Sequence, residues 1–170
     1  SMETTIVVDN RVSGDLVGRL LGPLQASALQ QKRSVFDGKL GQPIGSKLLD
    51  FSDDPLIARG LGSRLWDGEG IAAKRLPLFG GGVLLAYYVD DYYGRKLSMK
   101  PTTASMSNLS WKLGTKDGAA LVAGVSKGVF VTGFLGGNSN ATTGDFSLGV
   151  QGFRIEGGKL AEPVAEINLS

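Results

Sequence analysis

The stretch from Gly133 to Gly158 limits what this chain can fold into. Eight of its 26 residues are glycine, which favours turns and strands over long helices. Alternation survives between the glycines. Phe146, Leu148 and Val150 fall on one side of an extended chain, and Ser147, Gly149 and Gln151 on the other. Gly136-Gly137 with the polar run after it reads as a turn, and Thr143-Gly144-Asp145-Phe146-Ser147 as the opening of a strand. Glu156-Gly157-Gly158-Lys159 closes a tight hairpin onto Leu160–Val164. These residues alone give a glycine-punctuated antiparallel hairpin.

The rest of the chain supplies companions for it. Glu3–Asp9 is short and β-branched, a first strand. Leu16, Leu20 and Leu24 form one helical stripe, predicting a helix over about 14–31 with Ser13 as its cap. Gly22-Pro23 should kink that helix or split it in two. Leu48–Phe51 reads as a strand, and Arg75–Phe79 and Val83–Val89 as a hairpin around Gly80-Gly81-Gly82. A short helix over 90–97 follows, then a strand over 107–113. A second helix over about 117–127 is capped by Thr115, with Asp117 in its first turn, and Val129–Thr132 leads into the glycine stretch as a strand. The fold class is α+β: two helices on a mainly antiparallel sheet, in one domain over 1–170.

Two absences narrow the chemistry. The 170 residues include no Cys and no His. That excludes a disulfide, a thiol nucleophile, a His-based triad and an imidazole ligand from this chain. A net charge of +2 does not announce a nucleic-acid or membrane partner. The sequence has no apolar run of membrane-spanning length and no visible secretory leader; the expectation is a cytoplasmic protein. Ser1-Met2 reads as a tag remnant ahead of the native sequence.

Motifs spread from about Val12 to Ile167 carry a resemblance. They are Ser34-Val-Phe with Gly38-Lys-Leu-Gly41, Leu48-Leu with Asp53-Asp54-Pro55, and Gly62-Ser-Arg64 with Asp67-Gly-Glu-Gly70. Tyr88 with Asp91 and Arg95-Lys96-Leu97, then Ser107-Asn-Leu109, continue the series, which ends in Thr143-Gly-Asp-Phe-Ser147 and Gly149-Val-Gln-Gly-Phe153. In order and spacing these resemble the C-terminal domain of the TldD/PmbA family, also called modulators of DNA gyrase and classed with metallopeptidases. Relatives in that family are two to three times longer, with an α/β N-terminal domain that this chain lacks. The expectation is either an excised C-terminal domain or a naturally shortened form.

In the TldD branch, a helix just before the Ser-x-Phe loop carries HExxxH, whose two imidazoles hold a metal beside a water-activating Glu. Counting back from Ser34 without gaps, this chain has Val17-Gly18-Arg19-Leu20-Leu21-Gly22 there. The resemblance is therefore to the PmbA (TldE) branch. It implies a non-catalytic subunit or domain of a TldD/PmbA-type metallopeptidase assembly that processes or degrades unfolded peptides, beside a TldD-type HExxxH partner or in a homo-oligomer. It also implies no cofactor in this chain, with a metal, zinc by expectation, in that partner. The alternatives are an autonomous hydrolase using carboxylates or Ser, and a structural homo-oligomer.

Other clusters have side chains capable of chemistry. Asp50, Asp53 and Asp54 could be a metal or acid/base set, but a solvated strand end turned at Pro55 is the reading taken. Asp67 and Glu69 with Arg64 and Arg75 read as loop ion pairs, and Asp90-Asp91 with Arg95-Lys96 as helix support. Ser46-Lys47 and Ser126-Lys127 are discounted as dyads, because sequence neighbours diverge on strand or helix. Lys32-Arg33 and Arg95-Lys96 make no nucleic-acid stripe, and neither glycine run has P-loop spacing. Binding is easier to support than catalysis. Gly136, Gly137, Asn138, Thr143, Gly144, Asp145 and Phe146 are the candidate peptide- or partner-binding residues, through addition of a strand to an exposed edge.

Overall fold

The computed structural model describes residues 3–170; Ser1-Met2, the expected tag remnant, lies outside them. In chain order the elements are β1 (Thr5–Val8), α1 (Ser13–Leu21), α2 (Ala26–Gln30), β2 (Phe51–Asp53), β3 (Leu76–Gly80), β4 (Val83–Leu84) and α3 (Asp91–Leu97). Next come β5 (Leu109–Trp111), α4 (Gly118–Ala123), β6 (Lys127–Ser139), β7 (Phe146–Glu156) and β8 (Lys159–Leu169). The chain divides into two compact units, one of Ser1–Leu20 with Gly114–Ser170 and the other of Leu21–Leu113.

The first unit is a four-stranded sheet in the order β1-β6-β7-β8. β1 pairs with β6 in parallel, Thr5 opposite Gly128 to Val8 opposite Val131, and the other pairings are antiparallel. Val131, Leu148, Val150 and Ile155 are fully buried on this sheet. Register shifts interrupt both β6–β7 and β7–β8, so the period-2 alternation breaks in the middle of β7. Leu148 and Val150 are buried as expected, but the next buried side chain is Ile155 rather than a residue of the same parity. Phe146, on the side of Leu148 by count, lies at the hairpin end and stays 40% exposed. Gly152 fits between β-strands where nothing larger could: a Cβ there would sit 1.9 Å from the Phe130 carbonyl oxygen.

The second unit carries a sheet in the order β4-β3-β2-β5. Its core is aromatic. Phe51 stacks on Phe79 at 5.2 Å and on Trp111 at 4.2 Å, and Phe36 meets Phe79 edge-on at 6.0 Å. Leu24, Leu78, Leu84, Tyr88 and Val89 complete it, all at most 1% exposed.

The structure is α+β and mainly antiparallel, as read, but with two sheets rather than one and several bounds that differ. The helix expected over 14–31 is two helices, α1 and α2, joined by a 3-10 turn at Gly22–Leu24. Pro23 sits at the start of that turn, where its missing N–H costs nothing. The helix expected over 117–127 runs only over Gly118–Ala123. Asp117, not Thr115, is its cap, accepting from the Ala120 N–H at 2.8 Å. Gly136-Gly137 lies inside β6 rather than at a turn; the reversal comes at 140–145. The expected strand over 48–51 is shifted to Phe51–Asp53.

Candidate functional site at the edge of the glycine-rich strands

The candidate binding residues fall on the hairpin of β6 and β7. Gly136, Gly137 and Asn138 lie in the distal part of β6, paired to Gly149, Leu148 and Ser147 of β7. Thr143, Gly144 and Asp145 lie in the connecting loop, and Phe146 opens β7. The structure therefore gathers all seven at one end of one hairpin, and all are exposed.

The loop holds its own shape. Asn140 donates its N–H to the Asp145 carbonyl at 2.8 Å and accepts the Gly144 N–H at 2.8 Å. The Asn140 side chain accepts the Thr142 N–H at 2.9 Å, the local turn that asparagine favours. Thr143 Oγ1 donates to Asp145 Oδ2 at 2.6 Å. Asp145 is thus engaged inside the loop, and what the hairpin offers a ligand is chiefly backbone and the Phe146 ring.

The backbone is on offer because of the topology. β1 covers β6 only from Gly128 to Val131. The chain then leaves the sheet at Asp9, whose N–H donates to the Val131 carbonyl at 2.9 Å. Arg11 clasps the Asp9 carboxylate through Nη2 at 2.6 Å, fixing this exit, and its side-chain hydrogen bond is the main cause holding the Asp9 carboxyl at about 2. From Gly133 to Ser139, β6 has a strand partner on one side only among the described residues. At its far end Arg19 of α1 donates Nη1 to the Ser139 hydroxyl at 3.0 Å.

The other clusters are structural. Asp53, read as part of a solvated strand end, is instead 1% exposed. Its carboxylate accepts the Tyr88 hydroxyl and the Ser107 N–H, each at 2.8 Å, and the Ser107 hydroxyl. Burial first, and then the Asp53 charge, push the Tyr88 phenol far above its ordinary range. Asp54 turns away to accept the Leu56 N–H at 3.0 Å, and Asp50 faces Lys112 at 3.9 Å, so the three carboxylates do not converge.

Asp67, read as one of a set of loop ion pairs, is 5% exposed and accepts N–H groups of Glu69, Ile71 and Ala104, each at 2.9 Å. Burial works against its charged form, but the backbone donors of Ala104, Ile71 and Glu69 outweigh it and hold the carboxyl below the usual range. Arg64 spends its guanidinium on the Met106 and Ser105 carbonyls and on Thr103 Oγ1. Glu69 accepts the Asp91 N–H at 2.8 Å. Around Asp90-Asp91 the helix-support reading holds: Asp90 caps α3 through the Tyr93 N–H at 2.6 Å, and Arg95 pairs with Asp91 at 2.5 Å. Sequence reasoning missed the Asp53–Tyr88–Ser107 cluster. Its one signal was that all three residues belong to the motif series.

No group of three or more Asp, Glu, His or Cys side chains that could hold a metal occurs among the described residues. Of the positions counted against HExxxH, Val17 and Gly18 lie on α1 and Gly22 opens the 3-10 turn, and none has a donor atom in its side chain. The residues present do not fit a catalytic metal.

Comparison with known proteins places the whole chain. Residues 1–170 match the family described as the PmbA/TldA metallopeptidase C-terminal domain. The chain belongs to this family. It is 27% identical to the metalloprotease PmbA of Escherichia coli O157:H7, over all of this chain and 38% of that protein. It is 32% identical to a metalloprotease of Methanothermobacter thermautotrophicus, over 97% of this chain and 39% of the other. Among solved structures, a Bacteroides thetaiotaomicron protein named for modulation of DNA gyrase superposes with a TM-score of 0.95. It is 45% identical, covering 97% of this chain and 38% of that one. TldE from Thermococcus kodakarensis, at 20% identity and a TM-score of 0.82, shares the fold. The chain thus spans about two fifths of the length of these relatives. No helix is long and apolar enough to cross a membrane among the described residues.

Proposed function

We propose that this chain is a non-catalytic part of a PmbA/TldD-type metallopeptidase assembly, supplying partner-binding and peptide-binding strands. One observation carries the reading: a member of a metallopeptidase family has no His or Cys anywhere in the chain, with Val17 and Gly22 at the positions counted against the two HExxxH histidines and Gly18 at that of the Glu. Catalysis then belongs to a TldD-type subunit with HExxxH, where the metal, zinc by expectation, is held. The contribution of this chain is the hairpin of β6 and β7, with its exposed Gly136, Gly137, Asn138, Thr143, Gly144, Asp145 and Phe146. Backbone pairing along such an edge is indifferent to side-chain sequence, which suits an unfolded peptide.

The test is affinity isolation of the protein from its native cell extract, followed by reconstitution. An HExxxH-bearing relative is expected in equal amount, with cleavage of an unfolded peptide only when both are present. Stoichiometric metal and peptidase activity in this chain alone would overturn the reading.

A further inference from the structure

The distal part of β6 leaves an edge of the first unit fit for strand addition, and it comes with a charge at one end. The outer side of β8 is defended. Pro163 lacks an N–H, Glu162 and Glu166 place charge on the strand, and Glu166 takes a left-handed backbone at φ 59°. The open side of β6 carries no charge and no proline over Gly133-Phe-Leu-Gly-Gly-Asn-Ser139, although a register shift between Phe134 and Gly136 and positive φ at Gly136 and Gly137 bend it locally. Leu135 is 53% exposed, and residues 136–139 are exposed throughout.

The ends of this edge differ. One is closed by the exit of β1 at Asp9, whose N–H occupies the Val131 carbonyl. The other carries the Arg19 guanidinium, which makes one bond, to Ser139 Oγ, and no ion pair with a carboxylate among the described residues. A guanidinium has five N–H donors, accepts nothing, and matches a carboxylate with two parallel bonds. β1 already shows the direction the sheet accepts on this side, parallel to β6.

We propose that an extended peptide adds to Gly133–Ser139 parallel to β6, in line with β1, with its C-terminal carboxylate held by Arg19. Parallel addition puts the C-terminus at the Ser139 end, where the Arg19 guanidinium lies without a carboxylate partner among the described residues. Seven strand residues span about 23 Å, so the site takes a peptide of about six or seven residues. This inference rests on the peptide-binding reading above and adds to it the edge, the direction and the terminal group recognised.

The experiment is fluorescence polarisation on the full chain with a labelled, unstructured octapeptide. It is used as the free acid, as the C-terminal amide, and as the free acid with alternate backbone nitrogens methylated. The free acid is expected to bind about tenfold tighter than the amide, the value of one charge-assisted hydrogen bond. Arg19→Gln should erase that preference, and Arg19→Lys restore part of it. N-methylation should weaken binding by about tenfold or more, since it removes the donors of a strand. Equal binding of acid and amide to the unaltered chain would overturn the inference while leaving the peptide-binding reading in place; indifference to N-methylation would overturn the inference together with backbone pairing as the mode of that reading. Absence of binding by all three peptides would sink both. The comparison of acid and amide needs no variant, so a misfolded Arg19 substitution would not spoil it.

Discussion

Asp53 shows how a carboxylate in a sequence can look catalytic and yet serve only to hold a loop. It is buried at the end of β2, and three donors from Tyr88 and Ser107 meet its two oxygens. It therefore ties the chain around residue 107 to the strand that carries Phe51 and its stacked aromatics. Asp53→Ala would leave those donors unpaired in the core, at about 3 kcal/mol or more. Tyr88→Phe removes one bond and should cost about 1 kcal/mol. Denaturant unfolding followed by tryptophan fluorescence checks both, since Trp111 stacks on Phe51. Asp9 makes a different prediction. Its clasp with Arg11 holds the carboxyl at about 2 in the folded chain, against about 3.9 when unfolded. Stability from the clasp is therefore complete above about pH 4 and lost as pH falls towards 2. Asp9→Asn should flatten the acid limb of a stability–pH curve in that window, and an unchanged limb would refute the assignment.

At the scale of elements, the hairpin of β6 and β7 depends on glycine for closeness as much as for turning. Gly152 has the Phe130 carbonyl so near that Gly152→Ala must push the strands apart, at about 3 kcal/mol or more. Gly114 has open space around it, so Gly114→Ala should change stability by about 0.5 kcal/mol or less. Thermal unfolding of the two variants, with amide exchange along β6 and β7, would separate packing from mere glycine content. The sequence made the hairpin of β7 and β8 legible, through alternation around Leu148 and Val150 and the Gly157-Gly158 turn. It made the break at Gly22-Pro23 legible too, because proline acts locally. Register shifts were not legible, since a bulge depends on what the partner strand presents, and so Gly136-Gly137 was misplaced. Thr115 and Asp117 are both sound caps, and only the chain path selects Asp117. Likewise, nothing near Asp53 announces Tyr88, 35 positions away.

For the whole molecule, the outer edge of the first unit's sheet is a candidate template for a second copy. An eleven-residue outer strand such as β8 is long enough to template another chain. β8 meets that hazard with Glu162 and Pro163 side by side and the left-handed Glu166 three residues on. Arg154 reaches Glu162 at 3.1 Å, but both side chains are about half exposed and the pair adds little stability. The charge of Glu162 matters for what it repels. Replacing both guards, as in Glu162→Thr with Pro163→Thr, should leave the folded unit nearly as stable while making its outer edge attractive to a second copy. Sedimentation velocity would then show association that grows with protein concentration in the double variant and not in the unaltered chain. The same substitutions should leave peptide binding at Gly133–Ser139 unchanged, because that edge lies two strands away in the sheet order. If the double variant instead captured peptide while the unaltered chain did not, β8 rather than β6 would be the edge built for partners. A guarded strand and an open one in a single sheet would then have exchanged their roles.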